Sequence, residues 1–269
     1  MSEPSKGADP PTVALIGGSG IYESGLFTGT RTHRLSTPWG APSSSIEEGT
    51  LGDVRVLFLS RHGKGHVTPA HRVNYRANID ALKQLGATSI VAINSVGSLK
   101  EELPPGTFVI PDQFVDWTKR RESTFYDGGR TYHISTADPI CPRLQRRALA
   151  VADREGVQVA SGKTYVCVEG PRFSTRAESR LFRTFADIIG MTLVPESPLA
   201  REREICYLPI CMVTDYDVWA DHPVEASEIV RVLQDNVRRV RDWLKVLLPE
   251  LASAPGTCPC PTALENAGL

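Results

Sequence analysis

The chain has 269 residues, with 30 Lys and Arg against 31 Asp and Glu, which gives a formal net charge of −1. This balance argues against nucleic acid or an anionic membrane as the main partner, and no apolar run approaches the roughly 20 residues of a membrane span. A chain of this length can bury the core of a single α/β domain without cross-links. We therefore expect a cytoplasmic enzyme or binding protein.

The two ends of the chain differ in composition from the rest. Residues 1–10 are polar and Pro-rich with no apolar signal core, which predicts a disordered lead. No linker or internal repeat divides residues 11–250, so we expect one folded domain there. Residues 251–269 form a tail that contains Cys258 and Cys260. Because no other Cys or His lies near this pair in sequence, we expect it to be solvent-exposed and without a catalytic role.

Short apolar, β-branched runs alternate with segments that carry apolar residues at helical spacing. The predicted strands are Thr12–Ile16, Val54–Ser60, Ser89–Asn94, Thr107–Pro111, Thr164–Glu169, Thr192–Val194 and Ile205–Val213. The predicted helices are Arg72–Leu85, Leu144–Glu155, Ser174–Ala186 and Ala226–Leu248. This alternation predicts an α/β fold, a single domain with a mixed, largely parallel central sheet flanked by helices.

Three predicted strands end in loops that are rich in small or cationic residues. The glycine-rich turn around Ser19 offers backbone N–H groups to an anion, although a tight turn without a ligand would look the same. Arg61 and His62 lie between a strand and glycines, and the planar fork of an arginine suits phosphate. Asn94 and Ser95 end the third strand. Three such loops at equivalent places in a wound sheet predict an oxyanion site.

The strand Ile205–Val213 leads into two carboxylates, Asp215 and Asp217, which lie two residues apart. In an extended segment their side chains point to the same side. Small molecules bind at the carboxyl ends of strands in α/β sheets, which favours a functional pair. On spacing alone, Asp215 could equally start a turn and cap the next helix.

The stretch Val168–Glu178 reads VEGPRFSTRAE and resembles the signature of the trimeric purine nucleoside phosphorylases, in the methylthioadenosine phosphorylase branch. The resemblance covers nearly the whole chain apart from its first ten residues and the Cys-Pro-Cys tail. Further matching motifs are Ile16–Gly20, Ser60–Gly63, Asn74–Asn78, Asn94–Leu99, Asp112–Phe114, Phe125–Gly128, Gly190–Thr192 and Thr214–Trp219. The resemblance implies a nucleoside phosphorylase-like fold and phosphorolysis of a purine nucleoside, with phosphate as co-substrate and no metal or organic cofactor.

The resemblance also implies roles for individual residues. The phosphate ligands would be Ser19, Arg61, His62, Asn94, Ser95 and Thr192. The nucleoside would contact Phe173, Ser174, Met191, a neighbouring subunit's His133, and an apolar pocket of Ile229, Val232 and Leu233. Asp215, with Asp217 beside it, would give the leaving purine a proton at N7. Without the resemblance, Phe173 and Met191 would be read as core packing, and the three helix residues as packing against the sheet.

Carboxylates accept hydrogen bonds from a 6-amino group and repel a 6-oxo group, so Asp215 and Asp217 favour adenine. The implied reaction is phosphorolysis of S-methyl-5′-thioadenosine to adenine and 5-methylthioribose 1-phosphate, in a homotrimer. Alternatives are a phosphorylase of methylthioinosine, of other purine nucleosides or of 5′-halogenated deoxyadenosine, and a non-catalytic nucleoside-binding relative. Ser19 and Asn94 stand where Thr is usual in animal members, and Ser95 replaces Ala, so substrate breadth stays open.

Overall fold

The structure is a computed structural model that describes residues 12–18, 21, 26–220 and 226–268, without the side chains of residues 226–230. The expected N-terminal lead, Ser19 and the side chain of Ile229 therefore lie outside the described residues. No helix within the described ranges is long and apolar enough to span a membrane.

Eleven strands and five α-helices make up the described part of the chain. The strands are β1 (Thr12–Gly17), β2 (Thr28–His33), β3 (Ile46–Leu51), β4 (Val54–Ser60), β5 (Ser89–Ser98), β6 (Phe108–Ile110), β7 (Gln113–Trp117), β8 (Val159–Ser161), β9 (Thr164–Val168), β10 (Ile188–Gly190) and β11 (Cys206–Asp215). The helices are α1 (Tyr75–Gln84), α2 (Pro142–Arg154), α3 (Arg176–Phe182), α4 (Leu193–Glu202) and α5 (Ala226–Ala252).

All eleven strands belong to one mixed sheet. Strand β1 pairs in parallel with β4 and β5, and β5 pairs in parallel with β11. Antiparallel pairs join β2 to β3, β3 to β4, β10 to β5 and β6 to β11. Because β1, β4, β5 and β11 run in the same direction, their carboxyl ends meet at one edge of the sheet. The predicted mixed, largely parallel α/β sheet is confirmed.

The core is built around central strands whose side chains are buried on both faces of the sheet. Every residue of β1 is buried, as are all residues of β11 before Asp215, as expected for strands covered by helices on both sides. Helix α2 packs against α5 and β11, while α1 packs against α4. Strand β2 is mostly exposed and has the sequence TGTRTH, which explains why hydrophobic periodicity did not predict it.

Two predicted elements differ from the structure around the signature stretch. The predicted strand Thr192–Val194 is wrong, because this segment leads into α4 and the strand is β10. Helix α4 is buried at nearly every position, so it lacks the polar face that distinguishes a helix from a buried strand. The predicted helix Ser174–Ala186 is shorter, since a capping box between Thr175 and Glu178 starts α3 at Arg176.

The C-terminal residues fold back onto the domain after α5. Cys260 is buried, and Cys258 is half-buried, so the expectation of a solvent-exposed cysteine pair is wrong. At the end of the chain, Gly268 forms a bridge with Tyr132, and the N–H of His133 donates to the Ala267 carbonyl at 2.7 Å. The tail thus fixes the main chain around His133.

Candidate active site

The carboxyl ends of the central parallel strands open into a cleft of about 1160 Å³. It is lined by most of the predicted site residues: Arg61, His62, Ser95, Phe173, Ser174, Met191, Thr192, Asp215, Asp217 and Leu233. These residues come from separate segments of the sequence. The fold therefore brings the predicted anion-binding loops, the signature stretch and the carboxylate pair to one place.

Arg61 is buried and held by a partner that sequence reasoning missed. Its Nε and Nη2 donate to the two carboxylate oxygens of Glu196, each at 2.7 Å, and its Nη1 donates to the Ile93 carbonyl at 2.9 Å. Burial opposes the charge of the guanidinium, but the adjacent Glu196 carboxylate keeps the pKa of Arg61 above its ordinary value. Tyr207 also donates to Glu196, at 2.8 Å. Three of the five arginine N–H groups are engaged, which leaves two for a ligand.

His62 lies beside Arg61 as a neutral ring. Its Nδ1 is 2.8 Å from the Thr68 carbonyl, which can only accept, so Nδ1 carries the hydrogen. Burial, followed by the charge of Arg61, lowers the pKa of His62 to about 4. A neutral ring protonated at Nδ1 presents Nε2 as an acceptor. The ring also stacks on His66, with 4.2 Å between the centroids.

Asn94 does not line the cleft but holds a residue that does. Its Oδ1 accepts from the Thr192 hydroxyl at 2.8 Å, and its Nδ2 donates to the Ala92 carbonyl at 3.0 Å. Asn94 is buried in the middle of β5, whereas the next residue, Ser95, is exposed in the cleft. Asn94 therefore positions Thr192, while Ser95 faces the space where a ligand would lie.

The two carboxylates occupy different environments. Asp215 accepts two hydrogen bonds, at 2.7 Å from the Thr214 hydroxyl and at 2.8 Å from the N–H of Asp217. Such donors stabilise the ionised form. Asp217 is buried, its φ is +52°, and its Oδ2 has no hydrogen-bond partner among the described residues. Burial, with a contribution from Asp215, raises the pKa of Asp217. The described contacts therefore stabilise a charge on Asp215, whereas burial makes the Asp217 carboxyl easier to protonate than an exposed one.

The position of Asp215 depends on the neighbouring strand. The pairing of β11 with β5 shifts register between Val213 and Asp215, which marks a bulge, and bulges often redirect side chains beside active sites. Opposite the bulge, a Cβ on Gly97 would lie 3.0 Å from the Asp215 Oδ1 and 3.1 Å from a methyl carbon of Ile189. Any larger residue at position 97 would therefore press on both side chains and require the Asp215 carboxylate to shift away from β5.

The signature stretch contributes Phe173 and Ser174 to the cleft. The Phe173 side chain is exposed, at 50%, and the Ser174 hydroxyl is buried without a partner among the described residues. Gly170 has a φ of +68°, and a Cβ there would lie 2.5 Å from the sulfur of Met191. Gly170 thus lets Met191 pack against the start of this loop.

Buried Arg121 ties the loop to the segment after β10. Its Nη1 donates to the carbonyls of Met191 and Val194 at 2.6 and 2.5 Å, and its Nη2 donates to those of Val168 and Glu169 at 3.2 and 2.8 Å. Arg121 is not predicted from the sequence, because a single arginine between strands carries no pattern of its own.

The charged residues of the signature hold the loop rather than face a ligand. Arg172 donates to Glu178 through both Nη atoms at 2.7 Å, and Glu178 caps the start of α3 together with Thr175. Arg176 donates to the Val218 carbonyl at 3.3 Å, which connects α3 to the segment after Asp217. The signature therefore combines four residues that line the cleft, Val168, Pro171, Phe173 and Ser174, with side chains that fix their backbone.

Two predicted substrate residues do not reach the cleft of the same chain. His133 is exposed and lies outside it, and Val232 is half-buried on α5 without lining it. Leu233 and Val237 on the same helix do line the cleft. Polar and charged residues of α5, namely Gln234, Asp235 and Arg238, line the cleft beside these two apolar side chains.

The chain is similar over most of its length to proteins of known family. A family model described as the phosphorylase superfamily matches residues 12–248. The S-methyl-5′-thioadenosine phosphorylase of Pyrococcus furiosus is 52% identical over 256 residues, which cover 95% of this chain and 98% of that protein. The crystal structure of a methylthioadenosine phosphorylase from an antarctic soil metagenomic library superposes with a TM-score of 0.92 at 42% identity, covering 97% of this chain and 93% of that one. A mutant adenosine/methylthioadenosine phosphorylase from Schistosoma mansoni, solved with methylthioadenosine, is 37% identical with a TM-score of 0.85, covering 91% and 93% of the two chains.

Proposed function

The chain belongs to the phosphorylase superfamily, and we propose that it cleaves S-methyl-5′-thioadenosine with phosphate into adenine and 5-methylthioribose 1-phosphate. The observation that carries the proposal is a pair of carboxylates in different environments, Asp215 and Asp217. They lie in a cleft that also holds Arg61, Ser95 and Thr192. The relatives named S-methyl-5′-thioadenosine phosphorylase support it at about half identity over nearly the whole chain.

The reaction exchanges one bond at the anomeric carbon of the ribose. A phosphate oxygen forms a bond to C1′ while the bond from C1′ to N9 breaks, and its electron pair passes into the purine. The sugar becomes cationic in the transition state, so a phosphate anion held beside it stabilises it electrostatically. The purine becomes anionic and leaves as neutral adenine once N7 receives a proton.

We assign the two polar contacts to the purine, one at N7 and one at the 6-amino group, to different carboxylates. Asp217, whose pKa is raised by burial and by Asp215, would supply the proton to N7, because it is more easily protonated than an exposed carboxyl would be. Asp215, which accepts from the Thr214 hydroxyl and from the N–H of Asp217, would also accept from the 6-amino group of adenine. A 6-oxo group would place an acceptor against this carboxylate. The assignment moves the acid from Asp215, where the resemblance put it, to Asp217.

Phosphate would bind at the two free N–H groups of Arg61, at the Ser95 segment and at Thr192. Because His62 is neutral with Nε2 as an acceptor, it would either accept the P–OH hydrogen or take up a proton when the anion binds. Asn94 would contribute to phosphate binding indirectly, because it orients the Thr192 hydroxyl. Ser19 belongs to the proposed phosphate site as well, although it lies outside the described residues.

The remaining parts of the nucleoside fit the other walls of the cleft. Phe173 would stack on the purine, Ser174 would donate its unpartnered hydroxyl, and Met191 would pack on the ribose. On α5, the apolar side chains of Leu233 and Val237 would contact the thiomethyl group. A sugar with a 5′-hydroxyl would leave that group unpaired where it faces these two apolar side chains.

The proposed assembly is a homotrimer in the cytoplasm. His133 is exposed and outside the cleft of its own chain, while the tail fixes its main chain in place. In a closed ring each subunit could supply this residue to the next one. The six cysteines are all free thiols, which is typical of a protein in a reducing compartment.

The test is to compare kcat/KM for methylthioadenosine, adenosine, methylthioinosine and inosine, each with and without phosphate. We expect phosphate-dependent release of adenine, with methylthioadenosine as the best substrate and inosine as the worst. Release of no base from any of the four would favour a non-catalytic nucleoside-binding protein. Equal rates with 6-oxo and 6-amino substrates would contradict the role given to Asp215.

A further inference from the structure

Four cysteines from three distant parts of the chain converge at one place. The Sγ atoms of Cys141, Cys206, Cys258 and Cys260 all lie within 4.8 Å of one another. We refer to these four residues as the cysteine cluster. The Cys206 and Cys258 sulfurs are 3.4 Å apart, well beyond a disulfide bond of about 2.05 Å. The cluster is therefore an assembly of thiols that the sequence spacing did not reveal.

The cysteine cluster lies away from the catalytic cleft. Cys206 is the first residue of β11, and Asp215 is the last. At about 3.3 Å for each residue step, the strand between them spans about 30 Å. No residue of the cluster lines the cleft. A role for the cluster is consequently separate from the chemistry at Asp215.

The geometry of the cluster differs from that of ordinary buried cysteines. A free buried cysteine packs as a small apolar side chain, and this requires no contact with other sulfurs. Four sulfurs around a zinc ion, each at about 2.3 Å, stand about 3.8 Å apart at the corners of a tetrahedron. The Cys206–Cys258 separation of 3.4 Å and the upper limit of 4.8 Å bracket this value.

Two positive groups, the Arg143 guanidinium and the N-terminus of α2, lie beside the cluster. The Nη2 of Arg143 donates to the Cys206 sulfur at 3.5 Å, while its Nη1 is anchored on the Ala254 carbonyl at 2.8 Å. Cys141 immediately precedes α2, so it lies at the positive end of the helix dipole. Four thiolates with one divalent cation carry a net charge of −2, which an adjacent guanidinium and helix N-terminus would partly offset.

We propose that the cysteine cluster is a structural site for one Zn²⁺ ion, bound by the thiolates of Cys141, Cys206, Cys258 and Cys260. Binding releases the thiol protons, and four protein ligands leave no open position for a substrate, as in other structural zinc sites. The ion ties the tail to the starts of α2 and β11. The proposal does not depend on the reaction assigned to the cleft.

The first experiment measures zinc in the full-length protein, purified under reducing conditions without chelator. We expect about one zinc ion per chain by inductively coupled plasma mass spectrometry. A mercurial that modifies thiols should release the ion to a zinc-sensitive dye in proportion to the four thiols modified. Exchange with Co²⁺ should give the visible absorption of a tetrahedral cobalt thiolate site.

Variants then locate the ion. Cys258→Ser and Cys141→Ser should each lose most of the bound zinc and lower the melting temperature measured with excess Zn²⁺. Cys211→Ala, which changes a buried cysteine outside the cluster, is the matched control and should retain it. Loss of zinc from the control to the same extent would contradict the assignment.

The measurement on the unmodified chain is decisive even if a serine variant fails to fold. Absence of bound zinc after incubation with excess Zn²⁺ and dialysis would overturn the proposal. Four freely reactive thiols in that sample would mean that the cluster is apolar packing only. Two disulfides in place of the thiols, found by mass spectrometry without reductant, would overturn it as well.

Discussion

Replacement of Asp217 by asparagine tests the assignment of the acid and is expected to raise stability while lowering activity. Asp217 is buried, its Oδ2 is unpartnered among the described residues, and Asp215 lies beside it. An asparagine side chain at this position cannot deliver a proton to N7. Loss of a general acid typically lowers the rate at least about 100-fold, which corresponds to about 2.7 kcal/mol of transition-state stabilisation. The loss should fall on kcat, because the purine gains its charge only in the transition state.

The same substitution removes an unfavourable charge from the folded protein. A carboxyl whose pKa is raised in the folded state is harder to ionise there than in the unfolded chain, so stability is lost as the pH rises through the folded pKa. At neutral pH this loss is about 1.4 kcal/mol for each unit of the shift. Asparagine avoids it and also tolerates the positive φ that Asp217 adopts.

The assay combines initial rates on methylthioadenosine with thermal unfolding of the same samples at pH 7. Asp242→Asn is the matched control, because Asp242 is exposed on α5 and pairs with Lys245 at 2.6 Å. It should leave kcat unchanged and have little effect on stability, because solvent screens an exposed ion pair. An Asp217→Asn enzyme with kcat within a few-fold of the unmodified chain, or with lower stability, would refute the reasoning. If only Asp215→Asn loses activity, the proton resides on Asp215.

The remaining predictions concern the phosphate site and the assembly. Arg61→Ala should raise the KM for phosphate far more than that for the nucleoside. It should also destabilise the chain by about 3–5 kcal/mol in denaturant titrations, since Glu196 is left buried and unpaired; equal effects on the two KM values would make Arg61 purely structural. Because the folded pKa of His62 is about 4, stability should fall as the pH drops from about 6.5 towards 4, by up to about 2 kcal/mol at pH 5. His62→Asn should flatten this dependence, and an unchanged dependence would assign it to other groups. His133→Ala should raise the KM for the nucleoside and leave the KM for phosphate nearly unchanged. If light scattering shows that the unmodified chain is a fully active monomer, both the trimer and the shared role of His133 are contradicted.

The sequence by itself determined the architecture and most of the cleft. Strands such as β1 and β11 are covered on both faces, so their apolar runs are visible without any knowledge of neighbours. Once the strands are parallel, their carboxyl ends must meet, and this brings Arg61, Ser95 and Asp215 together. Local pattern thus predicted both the class of the sheet and the edge where the cleft lies.

The tertiary structure alone decided how these groups behave. Glu196 neutralises Arg61 from 135 positions further along the chain, and Asn94 holds Thr192 across 98 positions. The raised pKa of Asp217 arises from burial, which no spacing in the sequence expresses. Hydrophobic periodicity reports which side of an element faces the core, but it does not report which distant side chain lies opposite. Charges, protonation states and clusters depend on that second kind of information, and only the folded chain supplies it.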